Sequence, residues 1–312
     1  MIICEGKLES FDIPKNLVLA IGNFDGIHIG HRDVINSCIE IAKRNGWLAA
    51  VLTFSPHPSN IIDPKNAKQP IYPAQQKIDL LKKLPLSHLF ILDFDLDLMR
   101  LNHDEFIKKI LIEKFQIKGV VTGYNFSFGN KKLGDVNTLM DASKKYGFLY
   151  HIVEKFLYMG IEVSSSKIRE LLAMGLVETA NQLLGENYAI CGEVIRGKKM
   201  ATTLGFKTAN IPLKENYAYP LRGVYLVRVI INEIHFYGVA NIGVKPTVSD
   251  ENKILLEVHI FNFAKDIYGQ ILKVEFLHFI RPERKLKNIE SLQKQVQNDM
   301  REAQYALRNI VS

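Results

Sequence analysis

The stretch Leu17–His31, LVLAIGNFDGIHIGH, indicates the fold of the first part of the chain. Its first five residues are apolar and predict a buried strand, and apolar residues recur at helical spacing from Val34 to Ala42. The glycine-rich turn Gly22–His31 therefore joins a strand to a helix. Further strand patterns, with helical patterns between them, lie at Leu48–Phe54, His88–Leu92 and Lys118–Thr122. This alternation predicts a parallel sheet covered by helices, with ligands bound at the carboxyl ends of the strands.

Beyond about residue 185 the pattern changes to short runs rich in β-branched and aromatic residues. These runs are Tyr188–Ile195, Val224–Ile231, Ile234–Val239, Ile254–Phe261 and Ile271–Phe279. They predict a small antiparallel β-barrel, and Ile289–Val311 predicts one closing helix. The predicted fold is therefore an α/β N-terminal domain with a parallel sheet, followed by a small antiparallel β-barrel domain with a C-terminal helix. We expect the first domain to cover residues 1–185 and the second to cover residues 186–312.

The composition excludes several classes of protein. The chain has 312 residues, 47% of them hydrophobic, and a formal net charge of +7, which is typical of a globular protein. Cys4, Cys38 and Cys191 form no CxxC pair, so we expect no disulfide framework or structural zinc site, and a cytoplasmic location. Neither a secretion signal nor a membrane span is expected. The charge forms no dense basic block, so it indicates no nucleic-acid partner and suits small anionic ligands at least as well.

The turn Gly22–His31 has features of a phosphate site. Its glycines allow close approach of the backbone, and a helix N-terminus offers free N–H groups to an anion. His28 and His31, either protonated or as neutral N–H donors, could stabilise charge on one phosphate chain. An isolated HxGH pattern is equally compatible with a tight turn carrying incidental surface histidines.

Three further stretches carry polar or aromatic residues at predicted element ends: Thr53–Pro58 (TFSPHP), Gly123–Gly129 (GYNFSFG) and Ser164–Arg169 (SSSKIR). In the first, Phe54 or His57 could line a ligand pocket, although a plain proline-stiffened loop explains the segment as well. In the second, Asn125 can donate and accept hydrogen bonds to a ribose or base edge. In the third, the serines can cap a helix, and the nearby arginine favours phosphate.

Together these motifs resemble the nucleotidyltransferase half of the bacterial bifunctional riboflavin kinase/FAD synthetases. The resemblance implies a Rossmann-like domain that transfers AMP from ATP to FMN and releases pyrophosphate, with His28 and His31 as catalytic residues. Nine residues are implied to bind ATP or its phosphates: Gly22, Phe24, Asp25, Gly26, Gly30, Asn125, Ser164, Ser165 and Arg169. The residues that it implies at the flavin are Phe54, Pro56, His57 and Pro58.

The second half resembles the riboflavin kinase module, in segments that include Thr208–Asn210, Asn241–Thr247 and Leu256–Ile260. The resemblance implies that Thr208 and Asn210 bind Mg²⁺ with ATP, and that Gly197 and Lys198 bind its phosphates. It implies that Glu257 is the general base for the riboflavin hydroxyl group. The alternating pattern around Glu257 alone favours an ordinary outward-facing strand residue.

The phosphate loop of this module departs from the family pattern. Met200 and Thr202 stand where the family has arginines, Ala201 replaces a glycine and Lys207 replaces a proline. The expected substrates and products are riboflavin, FMN, FAD and ATP, with Mg²⁺ as cofactor. Three alternatives stay open: an FAD synthetase with a degenerate flavin-binding kinase module, another HxGH nucleotidylyltransferase, and a non-enzymatic flavin carrier. The sequence favours no oligomeric state.

Overall fold

The computed structural model describes residues 1–196, 208–214, 216–245, 253–284 and 288–311. The chain forms two compact units, Met1–Ser165 and Ser166–Ser312. Among the described residues, no helix combines the length and apolar character needed to cross a membrane.

The first unit is built on a six-stranded sheet with the order β1-β4-β3-β2-β5-β6, in which every pair of neighbours is parallel. Its strands are β1 (Ile2–Gly6), β2 (Leu17–Ile21), β3 (Leu48–Ser55), β4 (His88–Asp93), β5 (Gly119–Gly123) and β6 (Leu149–Val153). A two-stranded hairpin follows, with β7 (Leu157–Tyr158) and β8 (Ile161–Glu162). The parallel sheet confirms the fold predicted from strand and helix alternation.

Helices connect these strands, as the sequence predicts. They are α1 (Ile29–Asn45), α2 (Pro58–Ile62), α3 (Ala74–Lys82), α4 (Leu96–Arg100), α5 (His103–Glu105), which runs on into a π-helix (Phe106–Lys114), and α6 (Val136–Tyr146). All five residues of β2 are buried, and Cys38 on α1 lies against the sheet with its Sγ 3.4 Å from Val18 O. Burial on both faces explains why β2 is apolar throughout.

The second unit is an antiparallel sheet with the order β10-β13-β12-β11-β14-β9, which confirms the predicted barrel. Its strands are β9 (Ala189–Glu193), β10 (Ala209–Pro212), β11 (Gly223–Ile231), β12 (Ile234–Lys245), β13 (Lys253–Ile260) and β14 (Ile271–Pro282). The edge strands approach each other through a bridge between Ile195 and Asn210, where Ile195 N donates to Asn210 O at 2.8 Å. This bridge nearly closes the barrel.

Two helices that precede the barrel in sequence also belong to the second compact unit. They are α7 (Ser165–Ala173) and α8 (Val177–Leu184). Leu221 N donates to Leu172 O at 2.8 Å, and Asn181 Nδ2 donates to Phe276 O at 2.8 Å. These bonds tie the helices to the barrel, so compactness alone would divide the chain about twenty residues before the expected boundary. The functional division at 185/186 stays a prediction.

A buried ion pair holds the C-terminal helix (Ile289–Val311) on the barrel. Arg281, on β14, donates to both carboxylate oxygens of Asp299 at 2.7 Å, and Gln295 Nε2 donates to the same carboxylate at 2.7 Å. The Asp299 side chain is only 5% exposed. Removing one member of such a pair would leave the other charge buried and uncompensated.

We therefore predict that Asp299→Ala destabilises the docked C-terminal helix by about 3 kcal/mol. Hydrogen–deuterium exchange of peptides from this helix measures the change, which corresponds to roughly a hundredfold faster exchange. Glu302→Ala, at an exposed position on the same helix, is the matched control and should exchange like wild type. Equal exchange in Asp299→Ala and wild type would show that the ion pair does not hold the helix.

Candidate active sites

The turn Gly22–His31 lies at the middle of the parallel sheet. It follows β2, which pairs with β3 on one side and β5 on the other, so the strand order reverses at this point. Parallel sheets form their ligand crevice at such a point, outside the carboxyl ends of the strands. Gly22 N donates to Leu52 O at 3.2 Å and keeps the start of the turn against β3.

The backbone of the turn is bent by residues in the left-handed region. Phe24 and Ile27 have φ values of 47° and 43°, and both side chains are buried. A β-branched residue rarely adopts this conformation, so the packing of these side chains must offset the strain. Gly26 has φ 86°, and a Cβ there would lie 2.8 Å from Ile71 Cδ1. The buried ring of Phe24 leaves only its backbone to meet a ligand.

The two histidines are stacked at the start of α1. Their ring centroids are 3.5 Å apart, with an interplanar angle of 15°. His28 is the N-cap of α1, and its Nδ1 accepts a hydrogen bond from His31 N at 3.1 Å. The Phe24 ring stands edge-on to His31, with centroids 5.4 Å apart. Because Nδ1 of His28 accepts a hydrogen bond, neutral His28 must carry its proton on Nε2.

Burial keeps both histidines neutral at physiological pH. Desolvation lowers the pKa of His28 to about 4. Desolvation, followed by the charges of His28 and Lys77, lowers the pKa of His31 well below its usual range. Of the two protonation states that the sequence allows, the lowered pKa values therefore favour the neutral one.

Asp25 and Ser165 help to fix the turn. Asp25 is buried, and its Oδ1 accepts a hydrogen bond from Ile71 N at 2.9 Å. Ser165 Oγ donates to Asp25 O at 2.8 Å. This second bond brings Ser165 of the SSSKIR motif to the turn, although the two residues are 140 positions apart in sequence. Ser164 directly precedes this contact, and Arg169 lies one turn into α7.

The predicted flavin-binding residues lie after β3, beside the turn in the sheet order. His57 caps α2, and its Nδ1 accepts from Ser59 N at 3.2 Å, while Pro58 is the first residue of that helix. Phe54 is partly buried and stands edge-on to Phe94, with centroids 6.0 Å apart. Capping thus gives His57 and Pro58 a structural role, and the flavin contacts of this segment stay a prediction.

The loop after β5 adds one exposed polar group at the same edge of the sheet. Asn125 is exposed just beyond Gly123, where β5 ends. Phe128 is buried and stacks on Phe126 with centroids 5.6 Å apart, so these phenylalanines contribute to the core. Asn125, unlike the buried Phe128, is therefore exposed to solvent at this edge of the sheet.

In the barrel, three polar residues lie side by side on neighbouring strands. The strand register pairs Asn210 with Glu257, and Glu257 with Asn241. Directly paired residues of antiparallel strands share one face of the sheet. Leu256 and Val258 point to the other face and are fully buried. This arrangement gives Glu257 polar neighbours on both sides.

One atom of this row fits a cation ligand. Asn210 is buried, its Nδ2 donates to Thr208 O at 3.3 Å, and its Oδ1 has no hydrogen-bond partner among the described residues. A hard cation such as Mg²⁺ accepts neutral oxygen ligands of this kind. Within the same described ranges, no group of three or more His, Cys, Asp or Glu residues could hold a metal ion. Of the predicted phosphate-loop residues, Gly197, Lys198, Met200, Ala201, Thr202 and Lys207 lie outside the described residues.

Comparison with known proteins identifies both halves of the chain. A family model described as FAD synthetase matches residues 10–167, and one described as riboflavin kinase matches residues 184–307. A Bacillus subtilis protein named bifunctional riboflavin kinase/FMN adenylyltransferase is 38% identical over 92% of this chain and 91% of its own length. This chain belongs to the bifunctional riboflavin kinase/FMN adenylyltransferase family.

A second relative carries the same name, and a solved structure with a different description shares the fold. A Haemophilus influenzae protein of the same name is 38% identical over 97% of this chain and 98% of its own length. A crystal structure described as a macrolide-efflux protein from Streptococcus pneumoniae has 28% identity and a TM-score of 0.86, covering 96% of this chain and 97% of that one. The resemblance stated from the motifs is thereby confirmed, and the chain is an enzyme of the transferase class.

Two residues near the family's nucleotidyltransferase motif escape sequence reasoning. Thr53 is buried, and its Oγ1 donates to Asn23 O at 3.1 Å. Lys77 contacts the same two residues from α3. Thr53 lies in the quoted TFSPHP motif, and that motif is the signal that could have identified it. A single lysine in an amphipathic helix carries no such signal.

The neutral histidine predicts how the stability of this unit depends on pH. A folded-state pKa of about 4 for His28, below its unfolded value near 6.5, means that the unfolded chain binds more protons between these values. The stability is therefore full above pH 6.5 and falls as the pH is lowered toward 4. We predict that His28 contributes about 2 kcal/mol to the loss of unfolding free energy between pH 7 and pH 5.

Urea unfolding, followed by the fluorescence of Trp47, the one tryptophan of the chain, measures this loss. His28→Asn should show a loss smaller by that amount, and His151→Asn, at an exposed position in the same unit, should behave like wild type. Equal losses in wild type and His28→Asn would contradict the buried, neutral state of His28.

Proposed function

We propose that this chain phosphorylates riboflavin to FMN and adenylylates FMN to FAD, with ATP as the donor in both steps. The family assignment supports both reactions, and the stacked, neutral His28–His31 pair at the N-terminus of α1 is the observation that carries the second one. The functional domains we propose are residues 1–185 for adenylyl transfer and 186–312 for phosphorylation.

In adenylyl transfer, a phosphate oxygen of FMN attacks the α-phosphorus of ATP, the bond to the β-phosphate oxygen breaks, and pyrophosphate leaves. The attacking phosphate is already ionised at neutral pH, so the protein needs to supply position and charge stabilisation only. His28 donates from Nε2 to oxygens that gain negative charge in the transition state. The free N–H groups at the start of α1 act in the same direction.

The remaining predicted residues complete this site. Gly22, Gly26 and Gly30 let the phosphates approach the backbone, and Ser164, Ser165 and Arg169 bind the triphosphate from the start of α7. Asn125 binds the nucleoside part of ATP. Flavin contacts come from the residues after β3, namely Phe54, Pro56, His57 and Pro58.

In the phosphorylation of riboflavin, the 5′-hydroxyl oxygen attacks the γ-phosphorus of ATP and ADP leaves. Glu257 takes the hydroxyl proton as general base. Thr208 and Asn210 would hold Mg²⁺, which neutralises charge on the phosphates when bound. Asn210 fits this role because its Oδ1 is buried without a partner in the described part of the chain.

The proposal also covers the cellular location and the partners of the enzyme. We propose a cytoplasmic enzyme whose partners are riboflavin, FMN and ATP, without nucleic acid or membrane. Cys4, Cys38 and Cys191 are free thiols, which suits a reducing compartment.

A reciprocal pair of variants tests the assignment of the two reactions to the two sites. His28→Ala should lower the rate of FAD formation from FMN about 100-fold or more, because a preorganised donor is lost, and should leave FMN formation from riboflavin unchanged. Glu257→Gln should do the reverse, because the general base is lost. Chromatographic separation of the flavins measures both rates.

His151→Asn and Glu233→Gln, both at exposed positions, are the matched controls and should keep both activities. Loss of both reactions in either active-site variant would contradict separate sites. A wild-type protein that forms FAD from FMN, but no FMN from riboflavin, would favour the alternative of a degenerate kinase module, which Met200 and Thr202 suggest.

A further inference from the structure

Lys77 joins three elements around the turn that opens α1. From its position on α3, its Nζ donates to Asn23 O at 2.6 Å and to Thr53 Oγ1 at 2.7 Å. Thr53, on β3, donates to Asn23 O as well. The ammonium group therefore closes a network of hydrogen bonds between α3, β3 and the turn.

Burial and one opposing carboxylate act together on this ammonium group. Burial lowers the pKa of Lys77 to about 8, although the carboxylate of Asp25 acts in the opposite direction. The carboxylate of Asp25 also accepts a hydrogen bond from Ile71 N. His31 is the other titratable neighbour, and it is neutral. The positive end of the α1 helix dipole adds to the charge of Lys77, so the site favours an anion.

The other lysine of this helix, Lys82, shows the contacts of an ordinary surface lysine. Lys82 is exposed and forms an ion pair with Asp79, one turn earlier, at 3.4 Å. Such a pair contributes little and needs no further explanation. Lys77, in contrast, donates to a main-chain carbonyl group of the phosphate turn.

We propose that Lys77 is a positioning residue for adenylyl transfer, which fixes the turn Asn23–Gly26 and holds positive charge for the triphosphate of ATP. This inference rests on the proposed adenylyl-transfer function. A bound triphosphate favours the charged form of a nearby ammonium group, so ATP should bind less well once Lys77 has lost its proton.

The test uses the full chain and three variants: Lys77→Met, Lys77→Arg and the control Lys82→Met. At pH 7, Lys77→Met should lower kcat/KM for ATP in FAD formation about 100-fold, because a fixed charge is lost. Its rate of FMN formation from riboflavin should equal that of wild type, which shows that the chain is folded and active. Lys82→Met should keep both rates.

The pH profile separates charge from a purely structural role. In wild type, kcat/KM for ATP should fall above about pH 8, where Lys77 loses its proton. Lys77→Arg should keep at least a tenth of the wild-type activity at pH 7 and show no such fall, because arginine stays protonated. Lys77→Arg carries the test if Lys77→Met does not fold.

Two results would overturn the inference: a Lys77→Met protein within twofold of wild type, or a Lys77→Arg protein with the same alkaline fall as wild type. A failed adenylyl-transfer function would look different, because then wild type itself would form no FAD from FMN.

Discussion

The hydrogen bond from the His31 amide to His28 Nδ1 is the interaction on which the proposed adenylyl-transfer site depends. It caps α1, so it fixes where the helix begins and where its free N–H groups point. It also fixes the tautomer of His28, because a nitrogen that accepts this bond cannot carry the proton. The same hydrogen bond thus fixes the start of α1 and leaves Nε2 of His28 as an N–H donor.

The surroundings of this bond keep it in place. Burial of Phe24 and Ile27 holds the turn in its left-handed conformation, and Asp25 fastens it to the segment at Ile71. These residues are specified for packing and backbone shape rather than for ligand contact. A catalytic motif of ten residues therefore contains only a few side chains that can reach a substrate.

In the barrel, polar residues are brought together by strand pairing instead of by a turn at a helix start. The register of two antiparallel strands places Asn210 beside Glu257. The buried oxygen of Asn210 and the partly exposed carboxylate of Glu257 lie on one face of the sheet. Leu256 and Val258 lie on the other face. The strand register thus determines which polar side chains lie side by side, as well as which residues face the core.

Sequence patterns predict the helices and strands better than they predict the contacts between residues that are distant in sequence. The parallel sheet and the barrel follow from hydrophobic periodicity, which burial dictates. The role of Lys77 could not be predicted, because its partners Asn23 and Thr53 lie 54 and 24 residues away in sequence. The neutral state of the histidines also depends on burial, which local sequence does not show. Compactness groups α7 and α8 with the barrel because of distant contacts such as that between Asn181 and Phe276.

The protonation state of His28 tests this account most directly. Two-bond ¹⁵N–¹H NMR spectra of the histidine-labelled protein at pH 6, with His28→Asn used to assign the signal, report which ring nitrogen carries a proton. We predict a neutral ring with its proton on Nε2 and a bare Nδ1. A doubly protonated ring, or a neutral ring with its proton on Nδ1, would contradict it.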